Sequence, residues 1–350
     1  MADLTAQLRE QVQQAKSEQI PLQIIGANSK SHLGRSVIAM PINTAEHTGI
    51  ISYSPTELVI RARSGTKISD LNLALAEHDQ RLPFDPPQYQ MQGTIGGTVA
   101  TNQSGPARPW FGAVKDSLLG LGLINGYAQE MNFGGQVMKN VAGFDITRLQ
   151  CGAMGALGLI TEVSIKVLPM FKASLTLVFE IDQAAALEIM PAWSNQNLPI
   201  TGICHWQGMQ YVRLQGGQSG VDEAASGLLK QLPGALLDAT LAKEFWRQVR
   251  EQELLQPHGS QVLWRWTGAA DASAEALPGA QLINWAGAER WVLAEDRPAD
   301  NMALVQYQGG DRQAEVNPAM DTHNRALQIR LKHAFDPHGL FNVGRSYAWL

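Results

Sequence analysis

Fourteen of the chain's 33 glycines lie between Gly93 and Gly158, a window of 66 residues out of 350, where an even spread would place about six. They are ordered in successive runs: Gly93-Thr94-Ile95-Gly96-Gly97-Thr98-Val99-Ala100, then Gly105 and Arg108-Pro-Trp-Phe-Gly112, then Lys139-Asn140-Val-Ala-Gly143-Phe-Asp145, then Gly152-Ala-Met-Gly155-Ala-Leu-Gly158. An ordered glycine costs conformational entropy, so this density demands backbone in unusual dihedrals or backbone approached closely by a ligand. A large cofactor laid along the main chain meets that demand.

The rest of the composition narrows the class. With 45% hydrophobic and 17% charged residues the chain has material for a core and lacks the signature of disorder. A net charge of −5 argues against nucleic acid or anionic lipid as principal partner. The polar start Met-Ala-Asp-Leu-Thr-Ala-Gln-Leu-Arg-Glu lacks the apolar stretch of a signal peptide, and no run reaches the ~20 apolar residues that span a bilayer. The expectation is a cytoplasmic protein, at most peripheral to a membrane. Two cysteines, Cys151 and Cys204, cannot supply the four ligands of an iron–sulfur cluster, and no metal site is expected.

Leu4, Leu8 and Val12 predict a helix over the first 18 residues. Strands are predicted at Pro21–Ile25, Leu58–Arg63 and Leu159–Pro169, with a helix capped at Ser69 or Asp70 that carries Leu71, Ala74, Leu75 and His78 on one face. Beyond Met170 the character changes. Strands are predicted around Thr201–His205 and Gln210–Leu214, and a helix near Val221–Leu232. Five of the nine tryptophans fall between Trp246 and Trp291. These read first as core, and any exposed members as a subunit interface. A basic helix over Asp321–Ala334 precedes the tail.

Two nucleotide-binding loops are missing. There is no Gly-x-x-x-x-Gly-Lys-Ser/Thr, and in Gly120-Leu-Gly122-Leu-Ile-Asn-Gly126 the third glycine comes one residue late for a dinucleotide fingerprint, with no βαβ unit after it. A pyrophosphate can instead be held by successive main-chain N–H groups in turns. Gly26-Ala27-Asn28-Ser29-Lys30 and Thr94-Ile95-Gly96-Gly97-Thr98 are the candidates. Between Gln92 and Asn125 the only charges are Arg108, Lys115 and Asp116, so this segment can pack on a planar aromatic ligand without stranding charge.

In this order the loops resemble the FAD-binding domain of the vanillyl-alcohol-oxidase (PCMH-type) flavoproteins. The residues that carry the resemblance are Gly26–Lys30, Pro86/Pro87 followed by Thr94-Ile-Gly96-Gly97-x-x-Ala100, Gly112-x-x-x-Asp116, Lys139-Asn140-x-x-Gly143-Phe-Asp145 and Gly152-x-x-Gly155-x-Leu-Gly158-Leu-Ile160. Within that superfamily, Arg108-Pro-Trp-Phe-Gly112 and the ending Phe335-Asp-Pro-x-Gly-x-Phe-Asn342-x-Gly-Arg345 resemble the FAD-binding E subunits of bacterial glycolate oxidases. The resemblance implies an α+β fold. A PCMH-type FAD-binding domain of two α+β subdomains (1–170) precedes a smaller α+β C-terminal domain (171–350), whose final helix and tail, about 321–350, return toward the FAD domain.

It also implies cofactor contacts from Gly26, Ala27, Asn28, Ser29, Lys30, Thr94, Ile95, Gly96, Gly97 and Ala100. Gly105, Arg108, Gly112 and Asp116 would lie near the flavin and Gly152, Gly155, Gly158 and Ile160 near the adenine half, and Lys139 and Asn140 are further implied cofactor contacts. Many relatives have Gly-Gly where this chain has Ala27-Asn28. Relatives with covalent flavin usually place a histidine in that loop. Here it holds Asn28 and Ser29, with His32 after Lys30, so non-covalent FAD is expected, and Cys151 reads as a small buried hydrophobe.

The implied partners are a catalytic FAD subunit and an iron–sulfur subunit of a glycolate oxidase complex, with glycolate, a small 2-hydroxy acid, as substrate of the complex. Membrane association would be peripheral, through that complex. Oxidising a 2-hydroxy acid needs a base and a cation for the carboxylate. The catalytic relatives' His-x-Gly-Asp-Gly-Asn type motif is absent, and His205, His258, His323, His333 and His338 are scattered. No catalytic residue is assigned. Arg108, Lys139 and Arg345 are candidate anion contacts. Three readings stay open: an auxiliary, electron-relaying FAD subunit; an autonomous FAD-dependent 2-hydroxy-acid dehydrogenase with His323 as base; and an FAD-dependent reductase of cell-wall precursor synthesis.

Overall fold

Leu8, Val12 and Ala15 recur at helical spacing and are buried on one face of the helix Thr5–Glu18, as the periodicity predicts. The helix ends where Gln19 turns left-handed and its N–H closes on the carbonyls of Ala15 and Lys16. The structure, a computed structural model, describes residues 2–135, 145–298 and 303–350. These form two compact units, both discontinuous in sequence: Met1–Gln103, Gly112–Pro169 and Asp311–Leu350 make the first, Ser104–Phe111 and Met170–Gly310 the second.

The first unit is built on a five-stranded antiparallel sheet in the order Ile50–Ser54, Val59–Arg63, Leu159–Lys166, Leu118–Ile124, Glu130–Gly134. Leu118–Ile124 is almost wholly buried. Its Gly120 and Gly122 serve sheet packing and form no nucleotide loop: a Cβ on Gly122 would lie 2.7 Å from Thr161 Oγ1. A separate parallel pair, Leu22–Ile25 with Met40–Asn43, packs with the first helix and with Leu340 and Phe341 in its own apolar cluster.

Tertiary pairing overrides the local cap signal in the next helix. It spans Ile68–Ala76, one residue before Ser69, and Lys67 at its N-cap is extended and makes no side-chain cap. The Ile68 N–H donates to Gly93 O, and Lys67 bridges to Thr94, so the chain's return at residue 94 sets the start. Asp70 falls in the first turn, where a carboxylate suits the helix dipole. His78 lies beyond the helix; Leu71 and Leu75 carry its buried face.

The second unit is a single eight-stranded sheet, antiparallel throughout, running from Ala235–Leu236 at one edge to Leu304–Gln308 at the other. The strands Ile200–Trp206 and Met209–Gly216 enclose the predicted ones, and the helix Gln218–Gln231 starts three residues before the predicted helix and stops one short of Leu232. Trp246, Trp264, Trp266, Trp285 and Trp291 are all buried, so the tryptophan group is core and supplies no interface. Gly202 lets the Trp246 ring lie against its strand, where a Cβ would meet the ring at 2.9 Å.

Candidate cofactor cleft

Where the strand Leu22–Ile25 ends, the chain turns through Gly26-Ala27-Asn28-Ser29. Asn28 is left-handed at φ +57°, a conformation asparagine tolerates. The main-chain N–H groups of these four residues donate to no acceptor among the described residues. Four consecutive unspent donors in a turn make a concavity suited to an anion. They line a cleft of about 840 Å³, partly open to solvent. Lys30 and Arg345 line it too, and no carboxylate does so among the described residues. Lys30 is 9% exposed, with its ammonium 5.2 Å from the Tyr89 ring centroid. Burial pushes the Arg345 guanidinium below its ordinary pKa.

The opposite wall is Thr94 and the helix Ile95–Thr101. Its donors are largely committed within the protein. The N–H of Ile95 goes to Thr66 O, that of Gly96 to Ser64 O and that of Thr98 to Thr94 O, while Gly97 N–H makes only a 3.3 Å contact with Thr94 Oγ1. Successive amides without a protein acceptor are therefore found in the first loop and not in the second. What this wall contributes is proximity. A Cβ on Gly26 would lie 3.0 Å from Thr94 Oγ1 and one on Gly97 3.2 Å from the same oxygen, so both glycines keep this space clear. Ser64 Oγ is buried at the cleft with no hydrogen-bond partner.

The C-terminal tail forms a third side. Asn342 Oδ1 accepts from Ile24 N–H at 2.8 Å, and its Nδ2 donates to Met154 O at 2.6 Å. Arg345 donates to the carbonyls of Lys30, Ser31 and Arg35 at 3.3, 3.2 and 3.1 Å.

Residues 2–131 match the FAD binding domain family. Glycolate oxidase subunit GlcE of Escherichia coli (strain K12) is 41% identical over 357 residues, covering 99% of this chain and 99% of that protein. The chain belongs to the GlcE family. Glycolate oxidase subunit GlcD of Bacillus subtilis (strain 168) is 29% identical over 154 residues, 43% of this chain and 33% of that one. The solved structure of p-cresol methylhydroxylase with substrate bound superposes with a TM-score of 0.72 at 14% identity, covering 99% of this chain and 87% of that chain, and so shares the fold. The PCMH-type α+β architecture inferred for this GlcE family member is thereby established, and its cofactor is FAD.

The residues present suit FAD. Unspent amides and two cations match a diphosphate, the orphaned Ser64 hydroxyl offers a further polar contact, and Gly26 and Gly97 leave the room a side chain would fill. Of the residues singled out from sequence, Gly26, Ala27, Asn28, Ser29, Lys30, Thr94, Gly96, Gly97, Ala100, Gly155, Gly158 and Ile160 line the cleft. Ile95 does not; it is fully buried in the core beneath. Gly152 is left-handed at φ +86° beside Asn102 and shapes the turn rather than the lining.

Gly112 and Asp116 are also absent from the lining, and Asp116 Oδ2 accepts the Ala113 N–H at 2.9 Å as a cap. Gly105 and Arg108 belong to the second unit, where Gly105 O accepts from Trp285 Nε1 and the Arg108 guanidinium lies 4.2 Å from the Trp285 ring centroid. Lys139 and Asn140 lie outside the described residues. The Cys151 thiol donates to Asn102 Oδ1 at 3.4 Å, and burial pushes it up to about 12, so it is inert and lies off the cleft lining.

Sequence reasoning left Ser64 and Asn342 out of the site. Ser64 sits in Ser-Gly-Thr just after a predicted strand, a weak signal. Asn342 lies within the C-terminal Phe-Asn-x-Gly-Arg run, which was legible as a pattern but not as a wall of this cleft.

Proposed function

We propose that this protein is the FAD-binding subunit of a multi-subunit glycolate oxidase, taking part in the oxidation of glycolate to glyoxylate without itself carrying the substrate base. The carrying observation is full-length similarity to a glycolate oxidase subunit, joined to a cleft suited to a diphosphate and lined, among the described residues, by no histidine, aspartate or glutamate. A flavin accepts a hydride and passes electrons on. The chain's own groups would do the holding. The Gly26–Ser29 amides and Lys30 bind the diphosphate, Gly97 admits it to close range, and the committed amides of Ile95, Gly96 and Thr98 keep that wall rigid.

The partners are a catalytic flavoprotein subunit and an iron–sulfur subunit, with the complex peripheral to the cytoplasmic side of a membrane. No helix among the described residues is long and apolar enough to cross one. FAD would be bound non-covalently: among the described residues no cysteine or histidine lines the cleft, and burial pushes the Cys151 thiol up to about 12. The His323 alternative has no geometric support: it is exposed on the helix Thr322–Phe335 and is not a lining residue.

Anaerobic mixing of the FAD-loaded chain with glycolate tests the reading. The flavin band should persist until the partner subunits are added; bleaching of the chain alone would make it an autonomous dehydrogenase. Acid precipitation should leave all of the flavin in the supernatant.

A further inference from the structure

The loop with the unspent amides makes few contacts of its own. Its internal backbone bonds among the described residues are a 3.3 Å contact from Ser31 N–H to Asn28 O and a 3.1 Å bond from Leu33 N–H to Lys30 O. Its geometry is imposed from more than three hundred residues away. Asn342 fixes the strand that enters the loop, through Ile24 N–H, and ties it to the turn at Met154. Arg345 fixes the exit, where its guanidinium draws in the carbonyls of Lys30, Ser31 and Arg35 while Arg35 N–H returns a 2.7 Å bond to Arg345 O. Turning these carbonyls toward Arg345 commits the acceptors of the exit residues, whereas the amides of Gly26–Ser29 stay unspent at the cleft.

The tail does not depend on those two side chains for its docking. Leu340 is 1% exposed and Phe341 0%, packed against Leu22 and Ile42. Leu22 N–H donates to Leu340 O, and Lys332 Nζ bonds Ala156 O, the Asp336 carboxylate and Phe341 O, each at 2.7 Å.

We propose that Asn342 and Arg345 are positioning residues for the cofactor: through the two ends of the Gly26–Ser29 loop, the C-terminal tail sets the affinity for the diphosphate of FAD. This rests on reading the cleft as the FAD site. Arg345 also lines the cleft, so a purely electrostatic role toward the phosphates is the rival account. A lysine keeps the charge but cannot span three carbonyls with a planar fork, and that separates the two.

The test uses the full-length chain and its R345K, R345Q and N342A variants. FAD affinity is read by flavin fluorescence titration, apo stability by thermal melting, and the loop by hydrogen exchange of peptides covering residues 22–35. Expected are losses of about tenfold in FAD affinity for R345K and R345Q alike, within threefold of each other, as for a few lost hydrogen bonds. N342A should weaken FAD similarly, read well below an apo melting point that the two lost hydrogen bonds and the left-handed φ of +43° will lower. FAD should slow exchange in the loop of the wild type and do so much less in the variants. Wild-type affinity in R345K would overturn the proposal in favour of a direct charge contact, and so would unchanged loop protection in all three variants. A wild-type chain that binds no FAD would overturn the reading of the cleft and the proposal with it.

Discussion

The two loops that face each other across the cleft are both glycine-bearing, yet they are opposite in kind. In Thr94–Thr98 the amides of Ile95, Gly96 and Thr98 are bonded to protein carbonyls, and Gly96 sits so close to Ser64 that a Cβ would meet Ser64 Cβ at 2.5 Å and Ser64 O at 2.8 Å. In Gly26–Ser29 the amides are unspent and the loop is shaped by the tail. The first is framework that happens to line a site; the second is the site's donor set. The presence of glycine marks both and distinguishes neither.

That contrast can be broken by four measurements, taken from the largest expected effect downward. Gly96→Ala should destabilise the apoprotein by about 3 kcal/mol, since backbone and a Cβ cannot yield as a flexible side chain does. A melting temperature unchanged by it would mean the wall is not rigid. Ala27→Asp should instead leave apo melting unchanged and weaken FAD by about thirtyfold, roughly 2 kcal/mol, by setting a carboxylate against the diphosphate. Equal FAD affinity there would remove the donor role of this loop.

Ser64→Ala removes a buried hydroxyl without a partner, so the apoprotein should gain about 1 kcal/mol while FAD binding weakens. A loss in apo stability would show the hydroxyl already satisfied. The smallest effect concerns His32, held down to about 4 by burial and by the nearby Arg312, Lys30 and Arg345. Its folded pKa lies below the unfolded value near 6.5, so between about pH 4 and 6.5 the unfolded chain binds more protons and stability is lost as the pH is lowered through that window. His32→Gln should flatten that part of the urea-melt pH profile and leave the profile above about pH 7.5 alone. An unchanged slope would place His32 away from the cation group.

Much of the local structure could be read from the chain. Leu8 and Val12 gave the first helix, and the alternation ending at Pro169 gave the strand Leu159–Lys166. At the second helix a local signal competed with a distant partner. Ser69 and Asp70 are good caps, yet pairing with residues 93 and 94 started the helix at Ile68. Asp116 and Gly112 look like site residues because an acid and a glycine recur at a family spacing. In the fold they meet each other, with the carboxylate 3.0 Å from where a Gly112 Cβ would be. Trp285 carried no sequence sign of its contacts with Gly105 and Arg108, 180 residues away for the hydrogen bond.

The sequence by itself determined the cofactor class and the loops that could serve it. Absent side chains, few charges and turn-forming residues in a fixed order are local properties, and local properties survive in one dimension. Only the tertiary structure decided which amides remain available, because an N–H is spent or unspent according to a carbonyl that another segment supplies. It also decided that Asn342 and Arg345, at the far end of the chain, hold the loop at Gly26. Hydrogen bonds are made across space, and a residue's distance along the chain says little about which carbonyl it will reach.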